Sequence, residues 1–318
     1  MTTPKIAIIG AGMAGLACGS ALASHGLQPR LFDKGRGPGG RMATRRAESN
    51  GAQLRFDHGA QYFTDSDPAF TATIGNWLAR GVVAPWPAAG SNAYVGVPGM
   101  NAPLKFMAGE LDVDWAMRIT SVAAQQGGWQ VEFGDRREIF THCLIALPAE
   151  QTAEILEPAA PQFSAHAAAS VSEPCWAVMV SFAQRLPIEQ DAITDRQGKI
   201  AWAARNSAKP GRGEGECWVL HASPGHSHAI LELGADDAAR QLLQEFFEQQ
   251  GIKPQPAEFL TAHRWRYAKA QRPAGDGPLA LWDADARIGA AGDWLVNPKV
   301  EGAWRSGRAL AEMVIASL

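Results

Sequence analysis

A chain of 318 residues with 46% hydrophobic content can bury a full core, and its length suits two domains or one large one. With 29 Lys and Arg against 32 Asp and Glu, the formal charge of −3 offers no basic field for nucleic acid or anionic lipid. No apolar run reaches the roughly 18 to 20 residues that would span a bilayer. Cys18, Cys143, Cys175 and Cys217 form no C-x-x-C pair, which argues against a zinc site or a disulfide framework. The N-terminal stretch lacks a basic region, a long apolar region and a cleavage site, so reduced thiols and a cytoplasmic location are expected.

Residues 6–9 are a short apolar run ending in glycine, and residues 13–25 carry Ala and Leu at helical spacing until Gly26 stops them. Residues 30–33 read as the next strand, which completes a β-α-β unit with a right-handed crossover and parallel strands. Between the first strand and the helix lies Gly10-Ala11-Gly12-Met13-Ala14-Gly15, a G-x-G-x-x-G run. Gly10 permits the tight turn, Gly12 lets backbone approach a pyrophosphate, and Gly15 allows close helix packing, while the amides of Met13 and Ala14 open the helix toward the phosphates. Asp33 ends the second strand where an acid can accept from ribose hydroxyls, which also argues against a 2′-phosphate there. The glycine-rich stretch from Lys34 to Gly40 must be an irregular loop near the same ligand.

Residues 54–57 look like a strand and 58–61 like a turn. Asp67 before Pro68 predicts a capped helix to residue 79. Residues 82–99, rich in Pro, Gly and aromatics, suggest an excursion from the first sheet, after which Asn101 is placed to cap a helix to residue 110. Strands are predicted at 119–124, 129–133 and 142–147, the first two joined by a turn at Gly127-Gly128. From 148 to 285 longer alternating strands (176–182, 218–221, 258–266) and a helix over 236–250 replace the short apolar ones. Residues 288–291 return to the first pattern, followed by Gly292-Asp293 and a helix from about 302 to the end. The expected division is a discontinuous nucleotide-binding domain (1–66, 104–150 and 285–318) and a substrate domain (67–103 and 151–284).

Two further motifs carry a resemblance. Gly39-Gly40-Arg41 resembles the second glycine motif of the glutathione-reductase-type flavoproteins, particularly their amine-oxidase-like branch. Gly292-Asp293 with Glu301-Gly302-Ala303 resembles the C-terminal flavin motif of that branch. The stretches 33–46, 56–64, 263–268, 292–294 and 300–307 resemble the bacterial renalase-like flavoproteins, covering both ends of the chain and one inner strand. The resemblance implies an α/β fold with an FAD-binding Rossmann-like (glutathione-reductase-type) domain and an inserted mixed or antiparallel-sheet substrate domain. It implies non-covalent FAD held by Gly10, Gly12, Met13, Ala14, Gly15, Asp33, Lys34, Gly40, Arg41, Gly59, Ala60, Asp293, Glu301, Gly302 and Ala303. It further implies oxidation of 2-dihydro- and 6-dihydro-NAD(P) to NAD(P)⁺, with O2 reduced to H2O2.

Hydride transfer to a flavin demands closeness and orientation more than an acid or a base, so no catalytic side chain is expected. Asp57, His58, Gly59, Ala60 and Gln61 would lie beside the flavin ring and position substrate. Trp265 and Tyr267 share one strand face and could wall a flat-ring pocket, while Arg264 and Arg266 take the other. His58, His221 and His263 have no partners at metal spacing, and His226 and His228 lack an acid or thiol to complete a ligand set, so no metal is expected. Three rival readings stay open: a flavin amine oxidase, with Trp265, Tyr267 and Trp304 as aromatic candidates; an NAD-dependent dehydrogenase; and a flavin-binding protein without turnover.

Overall fold

A computed structural model of the chain describes residues 3–271 and 277–318. At its centre is a six-stranded sheet in the spatial order Leu281–Asp283, Ile288–Ala290, His142–Ile145, Ile6–Ile9, Arg30–Phe32, Asp112–Asp114. All its pairings are parallel except that of the Leu281–Asp283 edge strand. That edge strand joins this sheet although the sequence reading set residues up to 284 in the other domain.

Ile6–Ile9 is buried at every position because it is covered on both sides, the condition under which a strand loses hydrophobic alternation. Ile6 and Ile8 face one core with Leu16, Leu22 and Leu310, whose helices are Met13–Ser24 and Val300–Ala316. Ala7 and Ile9 face a second core with Phe133, Phe140 and Trp294. The two helices meet at Gly307, where a Cβ would stand 2.0 Å from the Ala14 carbonyl oxygen. The second core is roofed by a three-stranded sheet, Ile119–Gln125, Gly128–Phe133 and Arg136–Phe140, and by the helix pair Ala149–Leu156 and Pro161–Ala168. The strand Arg136–Phe140 and both helices of that pair were not legible in the sequence.

Residues 171–271 build a five-stranded antiparallel sheet in the order Ala192–Thr194, Ile200–Arg205, Glu216–Ala222, Val171–Phe182, Ala257–Gln271. Helix Ala235–Gln250 covers one face through Leu242 and Phe246. The other face, at Met179, Cys217 and Val219, receives Leu54 and Phe56 from the hairpin Thr44–Ser49 and Ala52–Asp57. This hairpin leads directly from the glycine-rich loop to the second sheet and is one of the elements that tie the two sheets together. The fold class is therefore the one expected, a Rossmann-like α/β sheet with additional antiparallel sheets.

Local expectations hold where the signal was local. Asp67 accepts from the amides of Ala69 and Phe70 at 2.9 and 3.1 Å, with Pro68 in the first turn of helix Pro68–Ala79. Asn101 precedes the shorter helix Ala102–Ala108 but makes no cap; its side-chain amide donates to Pro38 O at 3.1 Å instead. No helix among the described residues is long and apolar enough to cross a membrane.

Candidate active site

The three glycines of the first motif divide into two kinds. Gly10 has φ +103°, and a Cβ there would meet Ala146 O at 2.4 Å; a Cβ on Gly15 would lie 1.9 Å from Gly10 O. Both are glycines because protein backbone crowds them. Gly12 is different: a Cβ there would find no atom within 4 Å. It opens helix Met13–Ser24, whose first amides have no intrahelical acceptor. Across from it stands Gly40, at φ +49°, whose added Cβ would point at Gly12 Cα from 3.8 Å. Two bare backbones lying side by side at a helix N-terminus, with open space in front of Gly12, make a cradle for an anionic ligand such as a pyrophosphate.

Asp33 ties this cradle together: one carboxylate oxygen accepts from Ala11 N at 2.8 Å and the other from Gly35 N at 2.7 Å. Lys34 is exposed and reaches outward to Gln151 at 3.2 Å, so its side chain does not face the cradle, contrary to expectation.

The second and third motifs meet in space. Arg41 forks onto Asp293, Nη2 to Oδ1 at 2.6 Å and Nη1 to Oδ2 at 2.9 Å, across 252 positions of sequence. Asp293 is almost wholly buried. Gly302 is a packing glycine, since a Cβ would stand 2.2 Å from Asn297 O, and Ala303 is buried beside it. Glu301 corrects the sequence reading: its carboxylate accepts from Ser66 N and Oγ at 2.5 and 2.7 Å and from Asp67 N at 3.3 Å. It clamps the start of helix Val300–Ala316 to that of helix Pro68–Ala79. Trp304 is likewise core, packed on Phe70 at 5.1 Å under the Arg308 guanidinium, and does not wall a substrate site.

Residues 57–61 dock on the second motif. Ala60 N donates to Arg41 O at 2.8 Å, and any Cβ on Gly59 would collide with that same carbonyl at 2.0 Å. The expectation that Asp57 and Gln61 contact substrate is corrected by their burial. Asp57 is fully enclosed and accepts from Thr44 Oγ1 (2.7 Å), Met100 N (3.0 Å), Lys209 Nζ (3.3 Å) and Arg212 Nη2 (2.6 Å). Burial alone would push its carboxyl up, but Lys209, Arg212 and the Met100 amide together hold it below the usual carboxylate range. Gln61 turns inward as well, donating to the carbonyls of Asp57 and Gly59 and accepting from Lys209 at 3.0 Å. Asn206, buried behind the strand, takes Asp57 N and gives to Arg55 O. Lys209, Arg212 and Asn206 were missed because nothing in the turn-forming run 206–213 signals that it folds under residue 57.

What this turn leaves partly exposed is the Gly59–Ala60 backbone, with His58 buried beside it. The His58 ring stacks on Trp265 (5.2 Å between centroids, 27° between planes) and meets His263 edge-on at 4.9 Å. Trp265 Nε1 donates to His58 O at 2.8 Å, and His58 Nδ1 has no hydrogen-bond partner. Burial pushes the His58 imidazole down to about 4, so it is neutral at pH 7. Tyr267, half-buried, follows on the face of Trp265, whereas Arg264 and Arg266 both pair with Glu232 on the opposite face. His221 lies behind, 3.3 Å from Gln61, and His226 pairs with Glu245 at 2.7 Å, far from this cluster in role.

The profile of the NAD(P)-binding Rossmann-like domain matches residues 8–75, the segment holding the first two motifs. Among solved structures, a protein assigned as a protoporphyrinogen oxidase from Exiguobacterium sp. 255-15 superposes with TM-score 0.79 at 12% identity, covering 100% of both chains. Putrescine oxidase bound to putrescine gives 0.72 at 15%, over 99% of both chains. Cyclohexylamine oxidase from Brevibacterium oxydans IH-35A gives 0.67 at 14%, again over 99% of both. Likeness at these identities establishes architecture alone: the chain shares the fold of these three oxidases along its whole length.

Proposed function

We propose that this chain is an oxidase that holds FAD non-covalently and oxidises isomeric dihydronicotinamides, 2-dihydro- and 6-dihydro-NAD(P), to NAD(P)⁺. The observation that carries the cofactor assignment is the bare backbone of Gly12 and Gly40 side by side at a helix N-terminus, with Arg41 and Asp293 brought together beside it.

In this reading the amides at Gly12, Met13 and Ala14 and the Gly40 backbone hold the pyrophosphate, Asp33 the adenosine ribose, and Arg41 and Asp293 the phosphate and ribityl region. The amides opening helix Val300–Ala316 supply a positive dipole end to the flavin ring. When bound, flavin would supply a two-electron acceptor for the hydride, the electrons then passing to O2 with the hydride's proton and one from solvent to give H2O2.

The chain's own part is positioning. Gly59 and Ala60 let a flat ring approach, and the Trp265 and Tyr267 face gives it a wall. His58, neutral, offers an unpartnered ring nitrogen in a nearly dry site without adding charge. None of these groups needs to move a proton, which suits a dihydropyridine that aromatises by losing hydride alone. The four cysteines are unpaired, in keeping with work in a reducing cytoplasm.

The test is anaerobic mixing of the flavin-loaded protein with the 2-dihydro and 6-dihydro isomers, with ordinary NADH and with a panel of amines, while following flavin absorbance. Bleaching by the isomers alone, reversed by air with H2O2 formed, is the expected result. Bleaching by an amine alone would transfer the protein to amine oxidation, and a flavin untouched by any of them would overturn the assignment of an oxidase.

A further inference from the structure

The hairpin Thr44–Ser49 and Ala52–Asp57 carries charges that the cofactor cradle does not use. Its register sets Arg46 directly opposite Arg55, and like charges facing each other across an antiparallel ladder are destabilising. Lys105, on helix Ala102–Ala108, joins the same group: burial and then Arg46 and Arg55 hold its ammonium below the usual range. Arg45 emerges on the other hairpin face, where its charge helps keep His58 and His263 neutral.

Among the described residues no acid lies within ion-pair distance of Arg45, Arg46, Arg55 or Lys105. The hairpin's own acids are occupied: Glu48 accepts from Gln53 at 3.1 Å, and Asp57 is enclosed by Lys209 and Arg212. In a chain of net charge −3 this is a local concentration of positive charge and not a general property. The group also flanks the second glycine motif. Thr44 is backed by Gly99, where a Cβ would stand 2.6 Å from its hydroxyl, and Asn101 is hydrogen-bonded to Pro38 O.

We propose that Arg46, Arg55 and Lys105, together on one face of the hairpin, form an anion-binding rim that takes the phosphates of a nucleotide substrate. The inference rests on the substrate reading above for the nucleotide, and on the charge pattern for the phosphates. Guanidinium groups favour phosphate oxygens bidentately, and the same rim repels a protonated amine, which gives the site its choice between the two substrate classes.

The experiment is calorimetric titration of the FAD-loaded protein with ADP-ribose, a nucleotide without the nicotinamide, at two salt concentrations. Wild type should bind, and Arg46→Gln/Arg55→Gln should bind about tenfold more weakly with a shallower salt dependence. Arg136→Gln, the same kind of charge removal on the three-stranded sheet, should bind as wild type does. The proposal is overturned if loaded wild type does not bind ADP-ribose, if the double variant binds equally well, if Arg136→Gln weakens binding as much, or if inorganic pyrophosphate binds as tightly as ADP-ribose. Because flavin bleaching plays no part here, failure of the dihydronicotinamide assay with ADP-ribose still bound would remove the redox substrate and leave the rim.

Discussion

Replacing Asp57 by Asn tests whether the turn at 57–61 is held by charge. The amide keeps the volume and can still accept from Thr44 and Met100, but it abandons Lys209 and Arg212, both buried with side chains 0% exposed. Removing one partner of a buried ion pair costs about 3 to 5 kcal/mol, because the remaining charge stays buried without compensation. For 318 residues the unfolding entropy is roughly 0.7 kcal/mol per degree, so Tm should fall by about 4 to 7 °C at pH 7. The assay is thermal unfolding at matched flavin occupancy, repeated at pH 9. Burial pushes the Lys209 ammonium down to about 8 against the pull of Asp57. At pH 9 it is mostly neutral in the native wild type, only Arg212 then loses a partner, and the deficit of the variant should shrink. A variant as stable as wild type at pH 7 would refute the hub, and a deficit equal at both pH values would refute the part given to Lys209. Adding Lys209→Met to Asp57→Asn should recover part of the loss, since the double change removes the stranded ammonium.

Gly12→Val and Gly15→Ala should fail in different ways. The first places its side chain in open space, so the protein folds with flavin content lost; retention of flavin would sink the cradle. The second drives a methyl to within 1.9 Å of Gly10 O, so Tm falls whether or not flavin is added, and an unshifted Tm would contradict the packing role. For pH, His58 and His221 are both held at about 4 against an ordinary 6.5, burial being the main cause. The unfolded chain therefore binds more protons across that window, and stability should fall as pH drops from about 6.5 to about 4 and then level off as far as these two groups are concerned. His58→Gln and His221→Gln should each flatten the fall in urea midpoint between pH 7 and pH 4.5; a slope unchanged in both would show that neither imidazole is buried neutral.

The sequence by itself determined what depends on neighbours a few positions apart. Four buried residues before a glycine, a helix of small side chains and a second strand specify the β-α-β unit. Positive φ at Gly10 explains the turn, and Asp67-Pro68 starts its helix as a capping oxygen followed by a residue without an amide hydrogen should. The glycine motifs were legible for the same reason, since backbone freedom is a property of one residue. Charged side chains were not. Asp57, Gln61 and Glu301 looked like ligands for substrate or cofactor, yet each is consumed by partners 148 to 235 positions away, such as Lys209 and Ser66. The hairpin strand Thr44–Ser49, with its exposed arginines, carries no apolar alternation strong enough to announce itself. Which carboxylate remains open to a ligand is decided by burial and by which distant cation or amide arrives first, and only the assembled chain brings those together.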